Sequence, residues 1–376
     1  MKPVLDYTNF NSAKITETLR DLVTLESFTP EKTNVDKLGV YIRDRLKNIG
    51  ASVETVTQPT KGDHYLASWG DSGDQVLILC HFDTVWPEGN ATTRPFRVEG
   101  GKAVGPGILD MKAGIAITIH ALTALSDLGI SPKTRVRILF NSDEEEGSPT
   151  SRSLIEKEAA KSRHVFCLEP SFGTSGALKT ARKGVGIFDI RVTGRAAHAG
   201  NDPEHGISAI EELAHQVLRL HKMTDFSSGT TVNVGAITGG SVRNQIADQA
   251  EAMIDLRVTN NEIGEHLSER ILGLTAVHPQ ANVLITGGMN RPAMERTANT
   301  AHLYNQASNL ALDMGMELQE TAVGGGSDAQ FAAAMNVPVL DGLGGVGEWP
   351  HGVDEYIFID SLPQRTALLA SMLVNI

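Results

Sequence analysis

The sequence predicts an α/β protein: a mixed, mostly parallel sheet with helices on both faces, interrupted by an inserted α+β domain. Two observations predict it. Short apolar strand runs alternate with helical runs as far as Glu169, and between 184 and 286 the order changes to β-α-β-β-α-β. Length agrees, because single hydrophobic cores stop growing near ~250–300 residues and this chain has 376.

In chain order, apolar residues recur at helical spacing from Asn11 to Ser27 and from Asp36 to Ile49, with Gly50 as a stop. Val76–Cys80 (VLILC) is a strand ending at His81. A Gly-rich turn follows, then a helix from about Met111 to Leu128, the strand Val136–Phe140 (VRILF) and a helix from about Ser151 to Lys161. The strand Val165–Leu168 (VFCL) ends at Glu169. After Gly173, Gly184 to Gly194 alternates as a strand, and Pro203 to Lys222 is helical. Strands follow at 230–237 and 246–259, then a helix at 261–277 and a strand at 281–286. This is the split, ferredoxin-like order of a compact α+β domain. The first pattern returns with a helix from Thr300 to Met314, a Gly324–Gly326 turn, a helix to about Met335, the strand Val337–Leu340 and a helix at 361–374. The domain spans are therefore 1–178 and 290–376 for the main domain and 179–289 for the insertion.

Composition narrows the function. A net charge of −12, from 33 basic and 45 acidic residues, disfavours a nonspecific grip on nucleic acid or anionic membrane, since both need positive surface. A small soluble substrate is expected. Cys80 and Cys167 both sit in apolar strand runs, so buried thiols are expected and no disulfide framework. The N-terminus lacks a long apolar core, and no later stretch offers ~18 uninterrupted apolar residues. A cytoplasmic protein is expected, with the Asn90-Ala91-Thr92 triplet unglycosylated.

The strand ends carry the chemistry. His81, Asp110, Glu145, Glu169 and His351 are metal-binding types, and in open α/β sheets the carboxyl ends of strands line the ligand crevice. In His81-Phe82-Asp83, residues two apart on an extended chain face the same way, so Asp83 can accept from the imidazole N–H that does not bind metal. Asp110 follows GPGIL and precedes a predicted helix, where negative charge is favoured. Gly105 and Gly107 lack the spacing of either phosphate loop, so nucleotide binding is not expected. Asp143 to Glu146 leave a buried strand directly. On an extended chain Glu144 and Glu145 point opposite ways, so that one ligates a metal while the other acts as general base on bound water. Two His and three carboxylates suit zinc and also admit cobalt or manganese. Five ligands are too many for one tetrahedral ion with an open position. Two ions sharing a bridging Asp would use them all.

At these residues the chain resembles the di-zinc aminoacylase and carboxypeptidase family. The resemblance runs through HFDTV at 81–85, GPGILDMKAG at 105–114, NSDEEEGS at 141–148, LEP at 168–170, GRAAHAG at 194–200, GGGSDA at 324–329 and His351. RKGVG at 182–186 and NRPA at 290–293 are most similar to its glutamate carboxypeptidase branch. The resemblance implies that Asp110 bridges two zinc ions, that His81 and Glu169 hold one, and that Glu145 and His351 hold the other. It places Glu144 as the general base acting with metal-bound hydroxide, Asp83 as the orienter of His81, and His198 as an oxyanion donor, often supplied across a dimer. It also places Asn244, Arg257 and Arg291 on the substrate carboxylate or oxyanion, although either Arg suits a structural ion pair. Gly326 lies in a turn that lets backbone approach the ligand. The implied function is hydrolysis of an amide or peptide bond that releases a C-terminal, glutamate-like amino acid, by a homodimer formed through the insertion. The rival enzyme reading is an N-acyl amino acid deacylase or dipeptidase. A catalytically silent ligand-binding homologue is disfavoured by the full set of ligands, base and His198. One departure is the loop GLGGVGEWPH before His351, whose Trp349 leaves the side-chain preference open.

Overall fold

Gln75–His81 is buried along its whole length, as a strand covered on both faces must be. In the computed structural model, which describes residues 2–70 and 73–376, it lies inside a six-stranded sheet. The order is Ser52–Val56, His64–Trp69, Arg135–Asn141, Gln75–His81, His164–Cys167, Val339–Leu340. The last four are parallel neighbours, and the first two add antiparallel at one edge. Val76, Ile78 and Cys80 belong to the main apolar core. Leu77 and Leu79, on the other face, are buried as well. The mixed, mostly parallel sheet with helices on both faces is therefore present.

The helix Ala113–Asp127 is buried over most of its surface and packs against Ser361–Asn375, which in turn contacts an N-terminal helix, Lys2–Phe10. Together with the turn before it, Ile108–Asp127 is long and apolar enough to cross a membrane, yet 89% of that window is buried inside the protein. Gly114 is needed there because a Cβ would overlap the Leu168 carbonyl oxygen, so the helix lies directly on the segment leading to Glu169.

The chain divides into two units. One comprises the residues up to Ala181 with Arg296–Ala322 and Ser327–Ile376; the other is Arg182–Glu295 with Val323–Gly326. The second unit has a four-stranded antiparallel sheet in the order Thr231–Gly239, Gln249–Val258, Gly184–Thr193, Asn282–Arg291. Alternation along Gly184–Thr193 puts Phe188, Ile190 and Val192 on the face packed by Ala209–His221 and Asn261–Leu272. Both helices start on side-chain caps, Ser208 accepting from the Glu211 N–H and Asn260 from the Ile263 N–H.

Several elements differ from the sequence reading. The second unit runs to Glu295 rather than 289, because Asn261 bonds the Ala293 carbonyl and the Glu295 carboxylate and ties that segment to its own helix. Pro203–Lys222 is not one helix: Pro203–His205 is a single 3₁₀ turn, and extended Gly206 separates it from Ala209–His221. The strands Ser52–Val56 and His64–Trp69 and the helix Lys2–Phe10 were not read, since each is short and mixes polar with apolar residues. Also unread was a small antiparallel sheet of Gly347–Glu348, Tyr356–Phe358, Lys102–Val104 and Arg97–Glu99, and it is this sheet that carries His351.

Candidate metal centre

Two groups of ligand-type side chains converge in the first unit. His81, Asp110 and Glu169 form one, Asp110, Glu145 and His351 the other, and within each group the ligand atoms lie within 4.8 Å of one another. Asp110 stands between the two histidines. His81 Nε2 is 3.1 Å from its Oδ1 and 3.4 Å from a Glu169 oxygen. His351 Nε2 is 3.3 Å from Asp110 Oδ2 and 3.2 Å from a Glu145 oxygen.

Each ligand is placed by local backbone. His81 is the last residue of its strand, and Glu169 lies two past the end of the neighbouring parallel strand His164–Cys167. Asp110 does not directly precede the helix, contrary to the sequence reading. The helix begins at Ala113, and Asp110 sits inside a kinked turn, Ile108–Lys112, entered through Gly107 at φ +67°, where a Cβ would also strike Thr84. Glu144–Glu146 form a 3₁₀ turn rather than an extended segment. Side chains there diverge by the ~120° step of a three-residue turn, not by the 180° of a strand, so Glu145 joins the ligand group while Glu144 leaves its backbone at a different angle. His351 lies in the hairpin after Glu348, at φ +62°.

Asp83 does more than orient His81. The nearest acceptor for His81 Nδ1 is the Asp83 backbone carbonyl at 3.1 Å, with the carboxylate at 3.5 Å. That carboxylate accepts from Thr29 Oγ1 at 2.8 Å and from the Glu144 and Glu145 amides at 3.3 and 3.2 Å. It thereby joins the His81 segment to the turn that carries Glu144 and Glu145.

The electrostatics of the cluster follow from its excess of carboxylates. Burial would raise the Asp110 carboxyl, but the His351 and His81 imidazoles pull it well below the carboxylate range. Burial opposes a charge on His81, yet Asp110, Asp83 and Glu169 hold its imidazole well above its ordinary value. Bonds to Asp110 and Glu145 raise His351 to about 11. Burial raises Glu145, and its Oε1 is buried with no hydrogen-bond partner among the described residues. Apart from burial, which raises Glu145, the shifts come from imidazoles facing a buried excess of carboxylate, which gains by positive charge of the kind that metal cations would supply. The donor set fits two cations sharing Asp110.

The other residues that the family resemblance assigned to a site lie in the second unit. His198 Nδ1 accepts from the Gly200 and Asn201 amides, both at 3.1 Å, which leaves Nε2 as the N–H donor of the neutral ring. Its neighbour Ala199 donates to the Asn244 carbonyl at 3.0 Å, so His198 and Asn244 sit side by side. Arg257 is paired with Asp255 at 2.9 Å, the structural alternative that the sequence left open. Arg291 ends its strand and is buried. The Gly325 and Gly326 carbonyls accept from Arg182 Nη1 at 3.0 and 2.9 Å. The sequence reading passed over Arg182 and Lys112 except within their motifs, and it passed over Thr29 and Glu355 altogether. Lys112 is buried and donates to the Leu25 carbonyl at 2.9 Å; burial lowers its amine to about 7. A charged residue beside Asp110 at the edge of an apolar helix was the available signal for it.

The model of peptidase family M20/M25/M40 matches residues 77–375. The chain belongs to this family. Over 371 residues it is 32% identical to carboxypeptidase G2 of Pseudomonas sp. (strain RS-16), covering 96% of this chain and 89% of that protein. This M20 peptidase is also 27% identical to acetylornithine deacetylase of Proteus mirabilis, over 96% of both chains. Its fold matches the crystal structure of a dinuclear metal-binding M20 peptidase from Bacillus subtilis with a TM-score of 0.72 at 18% identity, over 97% of this chain and 98% of that one. The protein is accordingly a metallopeptidase, and the two groups around Asp110 are its candidate metal ligands.

Proposed function

We propose that this M20 peptidase is a zinc carboxypeptidase that releases a glutamate-like C-terminal amino acid from a peptide or N-acyl amino acid. The observation that carries the reading is the pair of ligand groups sharing Asp110, with Glu144 adjacent to the ligand Glu145 on one turn. Bound zinc would supply Lewis-acid polarisation of the scissile carbonyl and lower the pKa of water toward neutrality. Cobalt or manganese would serve the same donor set. Glu144 takes the proton from the attacking water and delivers it to the amine nitrogen as the C–N bond breaks. Its carboxylate is near enough to help raise the His81 imidazole. Asp83 keeps the Glu144 amide in place. His198 donates its Nε2–H to the developing oxyanion, from the same or a partner subunit. Asn244, Arg257 and Arg291 hold the substrate carboxylate, and Gly326 brings backbone close to it.

The same reading makes the protein a cytoplasmic homodimer built through the second unit, with small-molecule substrates rather than nucleic acid or membrane partners. A second reading, an N-acyl amino acid deacylase or dipeptidase, is favoured by the Arg257–Asp255 pair, which occupies one of the two candidate carboxylate grips.

The test is to load the protein with zinc and incubate it with dipeptides, N-acyl amino acids and pteroyl-glutamate-type amides, identifying products by mass spectrometry against a chelator control. Chelator-sensitive release of glutamate or aspartate is expected. Release of neutral amino acids alone would move the protein to the second reading, and no release from any substrate would sink both.

A further inference from the structure

Glu355 is 1% exposed, and its carboxylate accepts four hydrogen bonds. Oε1 accepts from the backbone amides of Leu109 at 2.8 Å and Asp110 at 3.0 Å. Oε2 accepts from the Gly107 amide at 3.0 Å and from the Trp86 indole N–H at 3.1 Å. All four partners are donors, so the carboxylate is held as an acceptor on both oxygens.

The three segments joined here are those that carry metal ligands. Trp86 follows His81 by five residues, the three amides belong to the turn that presents Asp110, and Glu355 follows His351 by four. None of these segments is a regular strand or helix at the point of contact. The Asp110 turn is kinked with non-helical dihedrals, His351 lies in a hairpin at positive φ, and 82–89 has no helix or ladder beyond an isolated bridge at Thr84. Regular backbone bonding therefore does not set the spacing between Asp110 and the two imidazoles, and one buried carboxylate ties all three pieces together. A buried acceptor with four good donors is costly to disturb, because any replacement leaves amides of the turn unpaired.

We propose that Glu355 is a positioning residue for the metal centre: it fixes the Asp110 turn relative to the His81 and His351 segments so that Asp110 can face both imidazoles. It touches neither ion nor substrate. The proposal rests on the metal-centre reading but not on the substrate assigned to it. Glu355 acts at the distance of outer partners whose loss lowers metal affinity by about 10–100-fold.

The test is zinc binding itself, measured by competition with a chromophoric chelator on full-length protein, for the wild type, Glu355→Gln and Trp86→Phe. Wild type should take up two zinc ions. Glu355→Gln keeps size and removes the charge, and it should weaken zinc by roughly tenfold or more. Its activity, assayed well below the melting temperature of the metal-free variant so that folding does not limit it, should be low at limiting zinc and recover as zinc is raised. Trp86→Phe removes one donor and leaves the amides paired, so it should weaken zinc by a smaller factor; it keeps the proposal testable if Glu355→Gln fails to fold. Wild-type zinc affinity in Glu355→Gln, or in Trp86→Phe should the former not fold, would overturn the proposal, as would activity lost without recovery at any zinc concentration. A wild-type protein that takes up no zinc would instead sink the metal-centre reading.

Discussion

His81 is 2% exposed and His351 is 50% exposed, although they sit 3.1 and 3.3 Å from oxygens of the same Asp110 carboxylate. The first half of the centre is made of strand ends. His81 and Glu169 come from adjacent parallel strands whose ladder sets their separation, and the helix Ala113–Asp127 closes over them. The second half is made of a 3₁₀ turn and a hairpin, with His351 at positive φ and Trp349 beside it 56% exposed. The contrast separates two tasks. The His81 half, packed into the core, has a geometry that the fold enforces, whereas the other half is open to solvent through the half-exposed His351, Glu145 itself being buried.

The strongest attempt to break this picture is Glu144→Gln. In the proposed role of proton carrier, its loss should cost at least about 10²–10⁴-fold in kcat, with zinc content and melting temperature unchanged. Full activity in that variant would remove Glu144 from the chemistry. Next comes the paired comparison of His81→Ala and His351→Ala. His81→Ala leaves Glu169 in the core without its cation and Asp110 with His351 alone, so it should destabilise the metal-free protein by about 3 kcal/mol or more and abolish zinc uptake. His351→Ala, at a half-exposed imidazole, should destabilise the metal-free fold less than His81→Ala does and reduce zinc from two ions to one, measured by thermal melts and metal analysis. Equal effects of the two substitutions would erase the distinction between the halves.

The smallest effect is the most specific to the open half. In the metal-free protein, the raised His351 contributes stability that is fully present below its unfolded value and is lost as pH climbs toward about 11. Zinc needs the neutral imidazole, so proton and metal compete and zinc binding strengthens as pH rises. The melting-temperature gain produced by zinc should therefore widen between about pH 6 and pH 9. In His351→Ala that widening should shrink; if it does not, the proton that zinc displaces lies elsewhere.

Legibility followed the origin of each piece. Uninterrupted apolar runs such as Val76–Cys80 and Val136–Phe140 announce buried parallel strands, and the residues that follow such runs include the candidate ligands His81 and Glu169, so these two were legible from local pattern. Asp110, Glu145 and His351 were nameable through their motifs, but their presentation was not. A kinked turn, a 3₁₀ turn and a hairpin depend on contacts such as Glu144 and Glu145 amides on Asp83, or Gly107 against Thr84, whose partners lie far off in the chain. The Asp83 carboxylate shows the limit most plainly. Residue spacing put it on the same side as His81, while the folded chain gave it Thr29 and the Glu144–Glu145 turn as closer partners.

By itself the sequence determined the sheet's class and named the candidate ligands, because periodicity and residue chemistry are local properties of the chain. Only the tertiary structure decided which ligand is sealed in the core and which stands open, and that Glu355 joins three distant segments. Burial and hydrogen-bond partnership belong to the whole packed fold, and no stretch of sequence contains them.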